Sequence, residues 1–376
     1  SLVWIKCRTT ARDHLLFDTV RGATNYIKSN LSTGQLSNGS TLTSFDSNGF
    51  TLDGDAEVNS GSDNYVAWNF DVAAGFMDIV AYQGDGQSDR QIPHSLASEA
   101  GLIICKSTSN ATGWRVFHKD LPSGNLLDLS ENDGFFPDPS IPGSDATTFT
   151  VSGGMTNFAE RDYVAYLFAS NNTNVMCGSY IGNASSGVTV DVGFKPGWLL
   201  VKRVNKSAGS WSIFDNKRSS PTNIDKYLRA DLSNIETDSG GFGPFVTFTN
   251  TGFEFGDRSD GDFNSTGDTF IYVAIAEGAG VPSDTELTFE EPNPDLKYFQ
   301  PGDQIGTVSG FAAIPYTGTD STQKITTGFS PSLVWIKNRD QGAQDGNHLL
   351  FDAVRGTENA LYSNLVNAQD PLAYSL

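Results

Sequence analysis

Ser-Leu-Val-Trp-Ile-Lys opens the chain at Ser1–Lys6, and the same six residues return at Ser332–Lys337. Each copy is followed by His-Leu-Leu-Phe-Asp-x-Val-Arg-Gly, at His14–Gly22 and at His348–Gly356. Two matched blocks in one order mark an internal duplication, and every other stretch is read against it. Weaker copies lie between. Gly101-Leu-Ile-Ile-Cys-Lys106 precedes Trp114-Arg-Val-Phe-His118, and Trp198-Leu-Leu-Val-Lys-Arg203 precedes Trp211-Ser-Ile-Phe-Asp215. Phe17, Phe117, Phe214 and Phe351 anchor the four copies.

Other landmarks keep the same phase. A closing strand reads Tyr65-Val-Ala-Trp68, Tyr163-Val-Ala-Tyr166 and Tyr272-Val-Ala-Ile275. An opening strand ends in Tyr82-Gln-Gly84, Tyr180-Ile-Gly182 and Tyr316-Thr-Gly318. These marks divide the chain into five parts. Residues 1–70 form a repeat without its opening strands, 75–170 a divergent repeat and 176–277 a full one. Residues 278–308, with Pro282, Pro292, Pro294 and Pro301 among acidic residues, form a linker or an inserted hairpin. Residues 309–376 form a repeat without its closing strands. The opening on Ser1 within a strand reads as the interior of a longer protein.

Short apolar runs such as Leu2–Ile5 suit strands buried on both faces. Asn38-Gly39, Asn48-Gly49, Asp53-Gly54, Asp85-Gly86, Asp133-Gly134 and Asp260-Gly261 are hairpin signals, because both residue types tolerate positive φ. The single helical candidate is Thr24–Asn30. Short strands with frequent turn signals predict an all-β chain, a tandem array of jelly-roll or concanavalin-like β-sandwich domains of roughly 100 residues. An immunoglobulin-type sandwich lacks its Cys…Trp…Cys pattern here.

The formal charge is −20, which repels phosphate and argues against nucleic acid and anionic membranes as partners. No apolar run reaches the roughly 18 residues that a membrane helix needs, so membrane insertion is not expected. Cys7, Cys105 and Cys177 are odd in number and lack Cys-x-x-Cys spacing, which reads as core thiols rather than a disulfide framework or zinc site.

Three groups of residues invite a chemical reading. Asp18 with Arg21, and Asp352 with Arg355, recur at one spacing, as a ligand-binding pair or a structural pair pinning the crossover loop. His14 and His348 before them read as partly exposed loop residues. Acidic loops precede two closing strands: Asp53, Asp55, Glu57 and Asp63 in the first repeat, and Asp257, Asp260, Asp262 and Asp268 in the third. Clustered oxygen ligands are what Ca2+ takes, though neither loop has EF-hand spacing, so Ca2+ is the one cofactor the sequence raises. Trp4, Trp198 and Trp335 read as core; Trp68, Trp114 and Trp211 could be core or could stack on a sugar. No nucleophile elbow, phosphate loop or paired-acid strand stands out, so no catalytic residue is nominated.

The string Leu-Val-Trp-Ile-Lys, His-x-Leu-Phe-Asp-x-Val-Arg-Gly, Ser44-Phe45, Asn48-Gly49-Phe50-Thr51-Leu52 and Tyr65-Val-Ala-Trp68 resembles a known domain of unknown function. That domain is repeated in structural and tail-fibre-like proteins of marine bacteriophages, and looks like a concanavalin-A-type lectin sandwich. The match is good over 1–70 and 309–365, fair over 176–277 and poor over 75–170, where His118-Lys-Asp-Leu-Pro replaces Asp-x-Val-Arg-Gly. The resemblance offers no catalytic residues. It implies a non-enzymatic structural or fibre-type protein, virion-borne or extracellular, whose partners are copies of itself and other virion proteins. The alternative is a lectin-like adhesin for host surface glycans, and a third reading is a secreted polysaccharide-degrading enzyme.

Overall fold

The computed structural model describes residues 1–278 except 185–186 and 257–259, and strands at 333–336, 349–352, 359–362 and 370–371. The chain divides into two compact units, Ser1–Val281 and Pro282–Leu376. Nearly all regular structure is antiparallel strand. The predicted linker and most of the fourth repeat, with His348, Arg355 and the side chain of Trp335, lie outside the described residues.

Each of the first three repeats is organised around one central strand, Leu2–Cys7, Ala100–Ser107 or Pro196–Arg203, and Leu333–Ile336 is the matching strand in the second unit. Each pairs with the next strand in the same register: Leu2 faces Asp18, Leu102 faces His118, Trp198 faces Asp215 and Leu333 faces Asp352. In the first three repeats the closing strand lies on the other side, at Tyr65–Phe70, Asp162–Ala169 and Thr269–Ala276. Repeats 2 and 3 add the opening strand, Met77–Gln83 or Val175–Ile181, outside the closing strand.

The continuous apolar runs are explained by two cores. Leu199 and Val201 face a second sheet of Val188–Asp191, Gly252–Phe255, Val246–Phe248 and Asn223–Ile224. Val3 and Ile5 likewise face the hairpin Leu42–Asp46/Gly49–Leu52. The alternate residues, Leu2, Trp4, Leu102, Ile104, Trp198 and Leu200, enter a single core that all three repeats share. There Phe70 of repeat 1 meets Phe168 of repeat 2 at 5.8 Å and Trp198 of repeat 3 at 5.4 Å, both edge-on. A void of about 10 Å³ remains between them, lined from all three repeats and with room for at most about one water. Each aromatic side chain buried there contributes on the order of 2–3 kcal/mol.

Three local readings change. Thr24–Asn30 holds the strand Asn25–Lys28, because Tyr26 enters the repeat's own core while Ile27 enters the shared one, a period of two. Asp133-Gly134 makes no tight turn: it lies in the long connection between the paired strands Asn125–Leu126 and Phe136–Pro137, against repeat 3, where a Cβ on Gly134 would come within 2.6 Å of the Val204 carbonyl. Val164 stands opposite Lys106 and Ile271 opposite Lys202, so Phe270, not Tyr272, is the counterpart of Tyr163. A shift of two residues keeps every side chain on its face, so the Tyr-Val-Ala text misaligns without changing the pattern.

Candidate functional site

The text that recurs in sequence builds the joints between repeats. Asp18 is fully buried and holds its own loop, accepting from the backbone of Val20 and Arg21 and from Arg21 Nε at 2.6 Å. Arg21 also donates to the Leu16 carbonyl. The second partner of this pair comes from repeat 2: Tyr166 donates its hydroxyl to Asp18 at 2.8 Å and accepts from Arg21 at 3.2 Å. Asp215 and Arg218 repeat the arrangement at 2.5 Å, and there repeat 1 supplies Trp68, whose Nε1 donates to Asp215 at 2.9 Å. Burial opposes the Asp215 charge, but Arg218 outweighs it and holds the carboxyl below its usual range. Glu236 completes the joint, accepting from Arg218 and from Arg8 of repeat 1. The recurring pair is thus a structural pin, and its reach extends beyond the crossover loop.

Repeat 2 carries His118 in the place of the aspartate. Its Nδ1 accepts from the Asp120 N–H, which leaves the proton on Nε2, facing the Tyr272 carbonyl of repeat 3 at 3.2 Å. Burial draws this imidazole down to about 4, so it is neutral at pH 7.

Three further sets close the same circle. Gln35 N–H donates to the Thr108 carbonyl, Phe135 to Val204 and Glu236 to Arg8, at 2.7, 2.9 and 2.9 Å. Lys106 Nζ reaches the Ser32 carbonyl, Lys202 that of Asp133 and Lys6 that of Ser233. Burial draws all three ammonium groups down to about 8, while two or more backbone carbonyls cradle each one. Trp114 Nε1 donates to the Leu31 carbonyl of repeat 1 and Trp211 Nε1 to the Asp128 carbonyl of repeat 2. His14 is their counterpart in repeat 1, and it is fully buried rather than exposed. It accepts from Trp4 Nε1 at 2.9 Å, which leaves the proton on Nε2, a buried atom with no hydrogen-bond partner among the described residues. Repeat 1 thus touches 2, 2 touches 3 and 3 touches 1 through matching positions, a pseudo-threefold ring.

The acidic loops do not converge. Asp53 accepts from the Gly54 N–H, and Asp55 caps the short helix Ala56–Asn59, whose first turn contains Glu57. Asp63 takes Arg12 and the hydroxyls of Thr9 and Thr10. Asp260 accepts from the Asp262 N–H, Asp262 from Arg229 and Ser210, and Asp268 pairs with Arg203 and Lys206. Asp257 lies outside the described residues. Among the described residues, no group of three or more His, Cys, Asp or Glu side chains is placed to hold a metal ion.

All three cysteines are buried thiols, and Trp4, Trp68, Trp114, Trp198 and Trp211 are buried. Among the described residues two exposed phenylalanines are ones the sequence reading passed over: Phe158, 40 % exposed, and Phe242, 87 % exposed on a tip where Gly240, Gly241 and Gly243 all have positive φ.

A family model described as Domain of unknown function (DUF7483) matches residues 1–279 and 308–374. The chain belongs to this family. Its match covers all three repeats of the ring and resumes at the fourth, leaving 280–307 unmatched, close to the predicted linker. No curated protein matches the chain. No solved structure matches it either.

Proposed function

We propose that this DUF7483 chain is a non-enzymatic structural component of the fibre type, built into a phage virion, with copies of itself and other virion proteins as its partners. One observation carries the reading: the side chains that recur in sequence form joints between repeats. Asp18, Arg21, Asp215, Arg218, the three lysines and the buried tryptophans all hold one repeat against another. Selection for a scaffold would preserve such residues, while a shared binding site would preserve side chains facing solvent. The acidic surface suits a protein that stays soluble while it assembles. Electron microscopy and solution mass of the purified chain test this. Concentration-dependent elongated particles support it, and a strict monomer at every concentration contradicts it.

A second reading, a lectin-like adhesin for host surface glycans, rests on Phe242. An exposed ring on a glycine-rich tip, four residues from Asp238, combines a stacking face with a nearby carboxylate, as sugar recognition uses. Ca2+ bound by the acidic loops would belong to this reading. Labelled chain incubated with host bacteria and polysaccharides, with and without EDTA, tests it. Saturable binding lost on Phe242→Ala supports it, and equal binding by the variant removes it.

A further inference from the structure

Two of the three joints are latched by an indole and one by an imidazole. Trp114 Nε1 donates from repeat 2 to repeat 1 and Trp211 Nε1 from repeat 3 to repeat 2, and an indole gains no proton in mild acid. Where repeat 1 meets repeat 3, the matching place holds His14, fully buried. Its Nδ1 is occupied by the Trp4 N–H at 2.9 Å, and its backbone N–H donates to Asn30 Oδ1. The ring proton is therefore on Nε2, which has no hydrogen-bond partner among the described residues. The carbonyls of Arg229 and Leu232 in repeat 3 are close enough to favour a proton there, but lie outside hydrogen-bond geometry.

A second proton has one place to go. It must enter on Nδ1, where it meets the Trp4 N–H donor to donor, so a charged imidazole cannot keep that bond. The surroundings also oppose the charge. Burial is the largest cause, Lys6 from the same strand as Trp4 comes next, and Arg218 of repeat 3 adds to it. The carboxylates around this joint are engaged elsewhere. Asp13 holds Lys28 and Asn30, while Asp215 and Glu236 hold Arg218. Asp231, in the turn after Arg229, accepts from the Trp211 N–H, and burial pushes its carboxyl up to about 6, so acid removes its charge. His118, between repeats 2 and 3, differs. Burial opposes its charge as well, but there the Asp120 carboxylate favours it. Loss of the Trp4 bond also reaches the other anchor of the same joint. Trp4 lies edge-on to His14 at 5.9 Å and to Trp68 at 5.8 Å, and Trp68 Nε1 donates to Asp215 of repeat 3.

We propose that His14 is an acid latch: a second proton on its ring parts repeat 3 from repeat 1, while the joints latched by Trp114 and Trp211 stay closed. The run His14, Trp4, Trp68 and Asp215 carries the loss along the whole joint. Once released, the imidazole takes its proton in water near the ordinary 6.5. Below that pH the open joint gains at most about tenfold in population per pH unit. The latch goes beyond the fibre reading and does not depend on it.

Three backbone amides report one joint each: Glu236 N–H donates to Arg8 between repeats 3 and 1, Gln35 to Thr108 between 1 and 2, and Phe135 to Val204 between 2 and 3. Hydrogen exchange of the full chain without denaturant, from pH 7 down to pH 4 and corrected for the intrinsic pH dependence of amide exchange, reads all three by mass spectrometry. The expected result is that Glu236 loses protection first, by up to about tenfold per unit below pH 6.5, with Gln35 and Phe135 still protected. His14→Gln, whose amide stays neutral, and His14→Trp, the residue type of the other two joints, should each flatten the Glu236 response. Circular dichroism verifies the fold of both variants, and the comparison of the three amides in the unaltered chain decides even where a variant does not fold. Three results overturn the latch: loss of protection at all three amides together, no loss at Glu236 down to pH 4, or an unchanged acid response in a folded His14→Gln chain.

Discussion

The joint between repeats 3 and 1 and the joint between repeats 2 and 3 occupy matching places but are held differently. At the first, Trp68 is seated on a buried Asp215–Arg218 pair with Glu236 behind it. At the second, the neutral imidazole of His118 meets a backbone carbonyl, with no arginine. The ring therefore needs a polar anchor at that place and not a particular charge. The two solutions fail differently. An ion pair stripped of one partner leaves a buried charge, whereas a truncated imidazole leaves a carbonyl short of one donor.

The largest break follows from that asymmetry. Asp215→Ala leaves Arg218 without its main counter-charge and should cost about 3–5 kcal/mol. His118→Ala should cost about 1–3 kcal/mol. Urea unfolding of both variants measures the difference, and equal losses would dissolve the distinction.

Acid separates the joints without mutation. His118 has a folded value of about 4, below the ordinary 6.5. The unfolded chain therefore takes the proton first, and the stability held above pH 6.5 drains as pH falls toward 4. At about 1.4 kcal/mol per pH unit this amounts to roughly 3 kcal/mol. His14, also lowered by burial, acts in the same sense. The Asp215 carboxyl is held below 3.8, so its stabilisation is lost only as pH falls below the ordinary carboxylate range. The His118→Gln variant should lose a large part of the slope between pH 6.5 and 4 and keep the slope below it. Denaturant midpoints taken across pH 3–7 give the answer.

Close approach gives a smaller effect. A Cβ on Gly34 or Gly134 would meet the Thr108 or Val204 carbonyl at 2.8 or 2.6 Å. Gly134→Ala should cost about 1–3 kcal/mol through overpacking. At the third joint the counterpart is Ile235, 52 % exposed, and Ile235→Ala should stay within about 0.5 kcal/mol. Between these two, Trp211→Phe removes the Nε1 bond to the Asp128 carbonyl and should cost about 1 kcal/mol in thermal unfolding.

Strands, repeats and their phase were legible in the sequence because apolar runs and turn residues act locally. The joints were legible only in part. Asp18 and Arg21 announce themselves three residues apart, but Tyr166 reaches them from 148 residues away. His14, Trp114 and Trp211 hold one place with two residue types, which hid their equivalence. Lys6, Lys106 and Lys202 stood in plain view at the end of each central strand. A lysine there reads as a solvated strand end, since burial among a neighbour's carbonyls depends on how repeats meet. Gly134 was legible only in part for the same reason: it lies in a connection between paired strands, but close contact with the next repeat, not a tight turn, is what asks for glycine there.

The central claim is that three repeats form one closed ring. Native-state hydrogen exchange of the full chain under increasing denaturant, with peptides resolved from each repeat, tests it most directly. A closed ring predicts that the central strands Leu2–Cys7, Ala100–Ser107 and Pro196–Arg203 open together, with one free energy, and that Asp215→Ala lowers all three equally. An open row of neighbours would instead lose protection repeat by repeat, with Asp215→Ala felt at the first and third repeats and the second unchanged.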